Sequence, residues 1–188
     1  MKKNLPLYLY GAVLIATGFF LLFSDHFTFQ TIKITLGSML IVGAIVAFFR
    51  ALSKQRKQVE FSYHEIHALA MLAYGILVLV FANTIEMLFY FSSFLTFFYA
   101  FSEIIFCTWL FNLGEKVVYK IIFIRVVLGL IVGGGTAVIM NYNAIPDNFD
   151  IKGFGPLFVI IGVNILLYVP VMKKEKLAET DNNATTML

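Results

Sequence analysis

The sequence predicts an all-α integral membrane protein with six transmembrane helices arranged as three tandem helical hairpins. Three observations predict it. The 188 residues are 60% hydrophobic and 13% charged, with a mean hydropathy of +0.87, whereas a soluble domain is roughly half apolar and a quarter charged. Uncharged apolar runs recur along the chain at close to the roughly 20 residues a helix needs to cross a bilayer. The turns between those runs alternate between basic and acidic.

The first run, 5–24, follows Lys2 and Lys3. Its outline is that of a signal peptide, but its apolar stretch of about 20 residues exceeds the usual roughly 7–15. No A-x-A-like site follows it, and it is read as the first span. The second run, 30–49, carries Lys33 near one end, where a long side chain snorkels to the interface. The third and fourth are 65–82 and 86–111, and the fifth is 117–140. The sixth, 154–172, has Pro156 in its first turn, where proline is tolerated. None of the runs shows the period-2 alternation of a strand, and a helix satisfies its own backbone hydrogen bonds, as lipid requires. The tail 173–188 is polar and reads as disordered. The chain therefore divides into one transmembrane domain, 1–172, and a cytoplasmic tail, 173–188, on which the Asn183-Ala184-Thr185 sequon is accidental.

Six spans place Lys2, Lys3, Arg50, Lys54, Arg56, Lys57, Lys116, Lys120, Arg125, Lys173, Lys174 and Lys176 on one side, and Lys33 and Lys152 on the other. Positively charged flanks stay cytoplasmic, so both termini are expected in the cytoplasm of a bacterial inner membrane. Asp25, Glu86, Asp147 and Asp150 fall in the outer turns. The basic loop that follows Arg50 is a solvated inner loop or a segment lying on anionic lipid. A single cysteine, Cys107, excludes an intrachain disulfide framework and a cysteine-rich metal site.

A repeat runs through the spans. "IATGFFLLFSDHFTFQ", "MLAYGILVLVFANTIE" and "LIVGGGTAVIMNYNAI" each place a glycine, Gly18, Gly75 or Gly134, about two turns before an outer turn bearing Asp or Asn. The returning helix offers Gly43, Ala100 or Gly162, at separations of 25, 25 and 28 residues. The unit is a hairpin of 57–62 residues used three times.

On these residues, and above all on "ATGFFLLFSDHFTFQTIKITLGSMLIVGAIVAFFRAL", the chain resembles the HdeD-like family of small six-span bacterial membrane proteins. The resemblance covers about residues 8–172. It implies a role in acid-stress protection and brings no catalytic residues with it. Where the family carries a proline near the end of the first helix, this chain has Ser24-Asp25.

Two charges interrupt the apolar runs, Glu103 and Arg125. They lie 11 residues before and 11 residues after Gly114, in the inner turn "NLGEK". An antiparallel hairpin brings them to similar depth. Ser92, Thr96, Ala100, Glu103 and Cys107 share one helical stripe, as do Arg125, Gly129, Gly133 and Thr136. The Gly129–Gly133 step permits close backbone approach, and Phe97 and Phe101 are left facing lipid or filling gaps. A charge at the membrane centre costs about 2.5–3.5 kcal/mol on insertion scales, and a partner reduces that cost. A Glu103–Arg125 pair is therefore expected, either holding the hairpin together or forming a site for an ion, proton or polar substrate.

Other polar residues give thinner signals. Glu60, His64 and His67 have the i, i+4, i+7 spacing of a metal site and equally that of an interfacial helix cap, so no metal is assigned. His26, beside Asp25, is of the residue type suited to sensing pH and is a candidate pH sensor or a plain turn residue. Asn164 is expected to hydrogen-bond between helices. Gly133-Gly134-Gly135 is a hinge or a tight-packing step.

Enzyme motifs are missing. Ser38 follows Gly37 but lies in "LGSML", and no histidine is expected deep in a span. There is no C-x-x-C, no membrane aspartate cluster, no P-loop and no dinucleotide fingerprint. Nor is there a basic domain for nucleic acid. The expectation is a non-enzymatic membrane protein without cofactors, whose partners are the lipid bilayer and, in one reading, further copies of itself. The alternatives are a small transporter or channel with a polar path near Glu103 and Arg125, and an intramembrane enzyme with unfamiliar residues. A hydrated cavity between the fourth and fifth helices distinguishes them.

Overall fold

A computed structural model of the chain describes residues 5–53, 58–112, 119–142 and 150–167. The turn around Gly114, the tail 173–188 and most of the lysines used to orient the chain lie outside these residues. Six α-helices are present: α1 (Leu5–Leu22), α2 (Phe29–Ser53), α3 (Gln58–Phe81), α4 (Ile85–Asn112), α5 (Tyr119–Tyr142) and α6 (Phe154–Leu166). Short 3₁₀ turns occupy Ser24–His26 and Ile151–Gly153.

The helix ends follow from local polar residues. The Thr28 hydroxyl accepts from the Thr31 N–H at 3.3 Å and caps the start of α2. Thr84 does the same for the Met87 N–H at 3.3 Å at the start of α4, where Glu86 adds negative charge to the first turn. Both arrangements satisfy donors that a helix start leaves open. Asp150 accepts from the Lys152 N–H at 2.8 Å and shapes the turn leading into α6.

Four helices are long and apolar enough to cross a membrane, over Leu5–Leu22, Phe29–Phe49, Ile85–Trp109 and Tyr119–Tyr142. The described parts of the other two form shorter apolar stretches, Ile66–Phe81 and Ile151–Leu166. Large apolar side chains cover the outside, among them Phe49, Phe101, Phe123 and Val138, each at least 65% exposed. An aqueous surface does not tolerate that much exposed hydrocarbon. This is a multi-pass membrane protein.

Each helix packs against its neighbours in the chain, and α6 returns to pack along α1, closing the bundle into a ring. The expected hairpins α1–α2, α3–α4 and α5–α6 are present. The most intimate packing, however, falls between them, in the pairs α2–α3, α4–α5 and α6–α1. Glycine is the reason. A Cβ on Gly18 would lie 2.6 Å from the Gly155 carbonyl oxygen, and one on Gly155 would lie 2.9 Å from that of Gly18. Gly11 and Gly162 face each other in the same way, as do Gly37 and Gly75. Of the repeat glycines, Gly18, Gly75 and Gly162 thus bring different units together rather than closing each hairpin on itself, while Gly134 has no such contact. Gly133–Gly135 lies within the uninterrupted helix α5, and Gly135 packs on Leu157.

Candidate functional site

The small and polar stripe of α4 turns inward as its spacing predicts. Ser92, Thr96, Ala100, Glu103 and Cys107 are all buried, with Glu103 fully so. Phe97 and Phe101 are 38% and 70% exposed and face outward. On α5 the buried residues are Ile122, Arg125, Gly129, Val132 and Thr136.

The two stripes meet. Arg125 Nε donates to Glu103 Oε1 at 2.7 Å, and Nη2 approaches the same oxygen at 2.7 Å. Cys107, one turn further along α4, donates its thiol to that oxygen at 3.3 Å. The guanidinium carbon lies 5.8 Å from the centre of the Phe106 ring, within cation–π range. Two turns along α4 from Glu103, Thr96 Oγ1 accepts from the Thr136 hydroxyl at 2.9 Å, and the Thr96 hydroxyl turns back to the Ser92 carbonyl at 2.9 Å. Close approach of the two backbones puts these short side chains within reach. A Cβ on Gly133 would stand 3.3 Å from that of Ala100, and one on Gly129 would stand 3.4 Å from Glu103 Cγ.

A second cluster lies on the other flank of α4. His67 of α3 is 3% exposed, and its Nε2 lies 2.7 Å from the Ser102 hydroxyl. That hydroxyl also lies 2.9 Å from the Tyr99 carbonyl, to which it donates. The imidazole packs against the Tyr99 ring at 5.1 Å. Tyr99 Oη accepts from Asn164 Nδ2 at 2.8 Å, which ties α4 to α6 as expected of Asn164. Asn164 Oδ1 is buried without a hydrogen-bond partner among the described residues.

His67 is buried within the bundle, close to the start of the apolar stretch Ile66–Phe81. The third helix starts at Gln58 rather than 65, so His67 sits well inside it rather than in an interfacial first turn. Among the described residues no three His, Cys, Asp or Glu side chains group as metal ligands. The side chains of Glu60 and His64 lie outside the described residues. His26 is exposed on the turn after α1, remote from Glu103 and Arg125 in the chain and joined to neither by an ion pair or hydrogen bond. Its neighbour Asp25 pairs with Lys152, which links the turn after α1 to the turn before α6.

One periodicity would have found His67 from the sequence. Tyr10, His67 and Arg125 are spaced by 57 and 58 residues, the repeat length. Tyr10 and His67 stand eight residues before the repeat glycines Gly18 and Gly75, and Arg125 stands nine before Gly134; all three are buried. Tyr10, His67 and Tyr99 line a cavity of about 20 Å³, with Leu14, Met71 and Phe158 among its apolar walls. That is room for about one water molecule. Glu103 and Arg125 do not line it.

Asn164→Leu removes the bond between α6 and Tyr99 at nearly constant volume. It is expected to cost about 0.6 kcal/mol, the average for a polar contact between membrane helices, and no more than about 1.7. Unfolding in mixed micelles measures it.

Neither a curated protein nor a solved structure matches the chain. Residues 9–80, which contain most of α1, all of α2 and nearly all of α3, match the family described as a short repeat of unknown function (DUF308).

Proposed function

We propose that the chain is an HdeD-like inner-membrane protein that protects the cell envelope under acid or related stress, and that it acts as a closed helical scaffold without catalysis. The observation that carries the scaffold reading is the state of the two intramembrane charges. Glu103 and Arg125 bond to each other and are at most 2% exposed. Neither lines the 20 Å³ cavity or the second described cavity, a flank groove bounded by α2 and α3. A conduit needs its charges in contact with water. The stress role rests on the repeat in residues 9–80 and on the resemblance of the whole hairpin pattern to HdeD-like proteins.

His67 and Ser102 stand at the separation of a catalytic base and nucleophile, which bears on catalysis. The Ser102 hydroxyl, however, donates to the Tyr99 carbonyl of its own helix. The N–H groups around it belong to the interior of α4, where the helix ladder uses them, so they offer no oxyanion hole. The orientation that fits the lysine and arginine bias places both termini in the cytoplasm.

Two readouts test the proposal. The native thiol Cys107 is in contact with Glu103 and is the chain's sole cysteine. In a scaffold it stays unmodified by a charged, water-soluble maleimide in folded protein and reacts after denaturation. Rapid labelling in the folded state, slowed by a transported ion or solute, would establish a conduit instead. A deletion strain is expected to lose viability in an acid challenge and to recover with the wild-type chain. Unchanged survival of the deletion strain would remove the stress role while leaving the scaffold reading to the thiol experiment.

A further inference from the structure

Each helix packs on its chain neighbours and α6 on α1, so the ring places α1 opposite α4. The cavity of about 20 Å³ takes its walls from both of these and from α3 and α6. Three buried polar groups at or next to it lack a full set of hydrogen bonds among the described residues. Tyr10 lines the cavity and is 2% exposed, and its hydroxyl bonds to no described residue. Tyr99 also lines the cavity. Its Oη accepts from Asn164 Nδ2 at 2.8 Å, which leaves the hydroxyl hydrogen still to be donated. Asn164 Oδ1, on the same amide, is buried without a partner. Turning the amide over exchanges its two ends and still leaves one unmatched.

A bilayer interior offers such groups no solvent, and each is costly to leave open. The set matches one molecule. Two hydroxyls have a hydrogen to give and one carbonyl oxygen has lone pairs to offer, while a buried water makes about three hydrogen bonds of both kinds. The cavity has room for one water and is too small for an organic solute. A cation of the same size would meet no counter-charge, because Glu103 does not line the wall. A hollow walled by hydrocarbon alone stays dry. The hydroxyls of Tyr10 and Tyr99 make the difference here.

We propose that the middle of the bundle is a binding site for a single structural water, which accepts from the Tyr10 and Tyr99 hydroxyls and donates to Asn164 Oδ1. The water joins α1 to α4 and α6 across the ring. Among the described residues no direct hydrogen bond links α1 to α4.

The test begins with Tyr10→Phe in the full chain, which removes one oxygen and little else. If that hydroxyl bonds nothing, its loss is neutral or stabilising. With the water in place, the folding equilibrium constant in mixed micelles is expected to fall about threefold, the average for a polar contact between membrane helices. Tyr10 and Asn164 share no direct bond, so the same substitution beside Asn164→Leu should have a smaller effect. Where Asn164→Leu fails to fold, the wild-type chain gives a separate readout. Brief X-ray radiolysis in isotope-labelled water generates hydroxyl radicals at bound waters. Tyr10 and Tyr99 are expected to take up the label well above Phe89 and Phe154, which are comparably buried. A neutral or stabilising Tyr10→Phe, an undiminished effect beside a folded Asn164→Leu, or labelling of Tyr10 no higher than that of Phe89 each overturns the proposal.

Discussion

Arg125→Ala is expected to destabilise the folded bundle by about 3–5 kcal/mol, because it leaves a buried carboxylate without its partner. Glu103→Gln should cost a comparable amount. It keeps the shape of the side chain and abandons the guanidinium in a site that is 1% exposed. The double variant Glu103→Leu/Arg125→Leu is expected to recover most of the loss, since an apolar pair of similar volume pays no desolvation cost. Trp109 is the sole tryptophan and packs near Phe106 with ring centres 6.4 Å apart, so its fluorescence follows unfolding next to the pair. The decisive quantity is the coupling between the two single substitutions. Single losses below about 1 kcal/mol would place the charges in a solvated setting and contradict the buried geometry.

Gly18→Ala is the second large effect. Its new methyl group would meet the Gly155 carbonyl oxygen at 2.6 Å and the Val159 backbone nitrogen at 2.7 Å. Backbone does not rotate out of the way as a side chain does, so α1 and α6 must separate. The expected loss is about 1–3 kcal/mol or more, read as a lower midpoint of unfolding in micelles. Two substitutions on α5 serve as controls. A Cβ on Gly134 meets nothing within 4 Å, so Gly134→Ala should be neutral or stabilise by up to about 1 kcal/mol through helix propensity. Gly129→Ala meets Glu103 Cγ at 3.4 Å, ordinary contact, and should be tolerated. Equal losses at Gly18 and Gly134 would show that the cost is not set by helix approach.

Much of this arrangement is legible in the sequence because lipid leaves few choices. Helix positions follow from run length, and the facing stripes of α4 and α5 follow from spacing. The depth match of Glu103 and Arg125 follows from counting outward from Gly114. Which helices pack most closely is not legible in the same way. The glycine repeat is consistent with hairpins packed on themselves and with units packed on each other, and only the opposed carbonyls of Gly18 and Gly155 distinguish the two. The burial of His67 is not legible because the third helix extends further toward its start than its apolar run does. Polar residues such as Gln58 and Glu60 prolong a helix without adding to hydropathy. Ser102 was hidden for a related reason, since it stands one position off the stripe that holds Glu103.

The return of α6 onto α1 fixes how many units the molecule contains. In an open solenoid each added unit leaves a fresh edge, and the array can lengthen one step at a time. Here the closing interface has opposed glycines as the α2–α3 interface does, so the described helices leave no edge over and a fourth hairpin has no seat. Excising one hairpin breaks the two interfaces it makes, strands one half of each and leaves the third in place. Shortened or lengthened versions of the chain are therefore expected to restore the missing surface from a neighbouring molecule, exchanging hairpins between copies instead of settling as smaller or larger monomers.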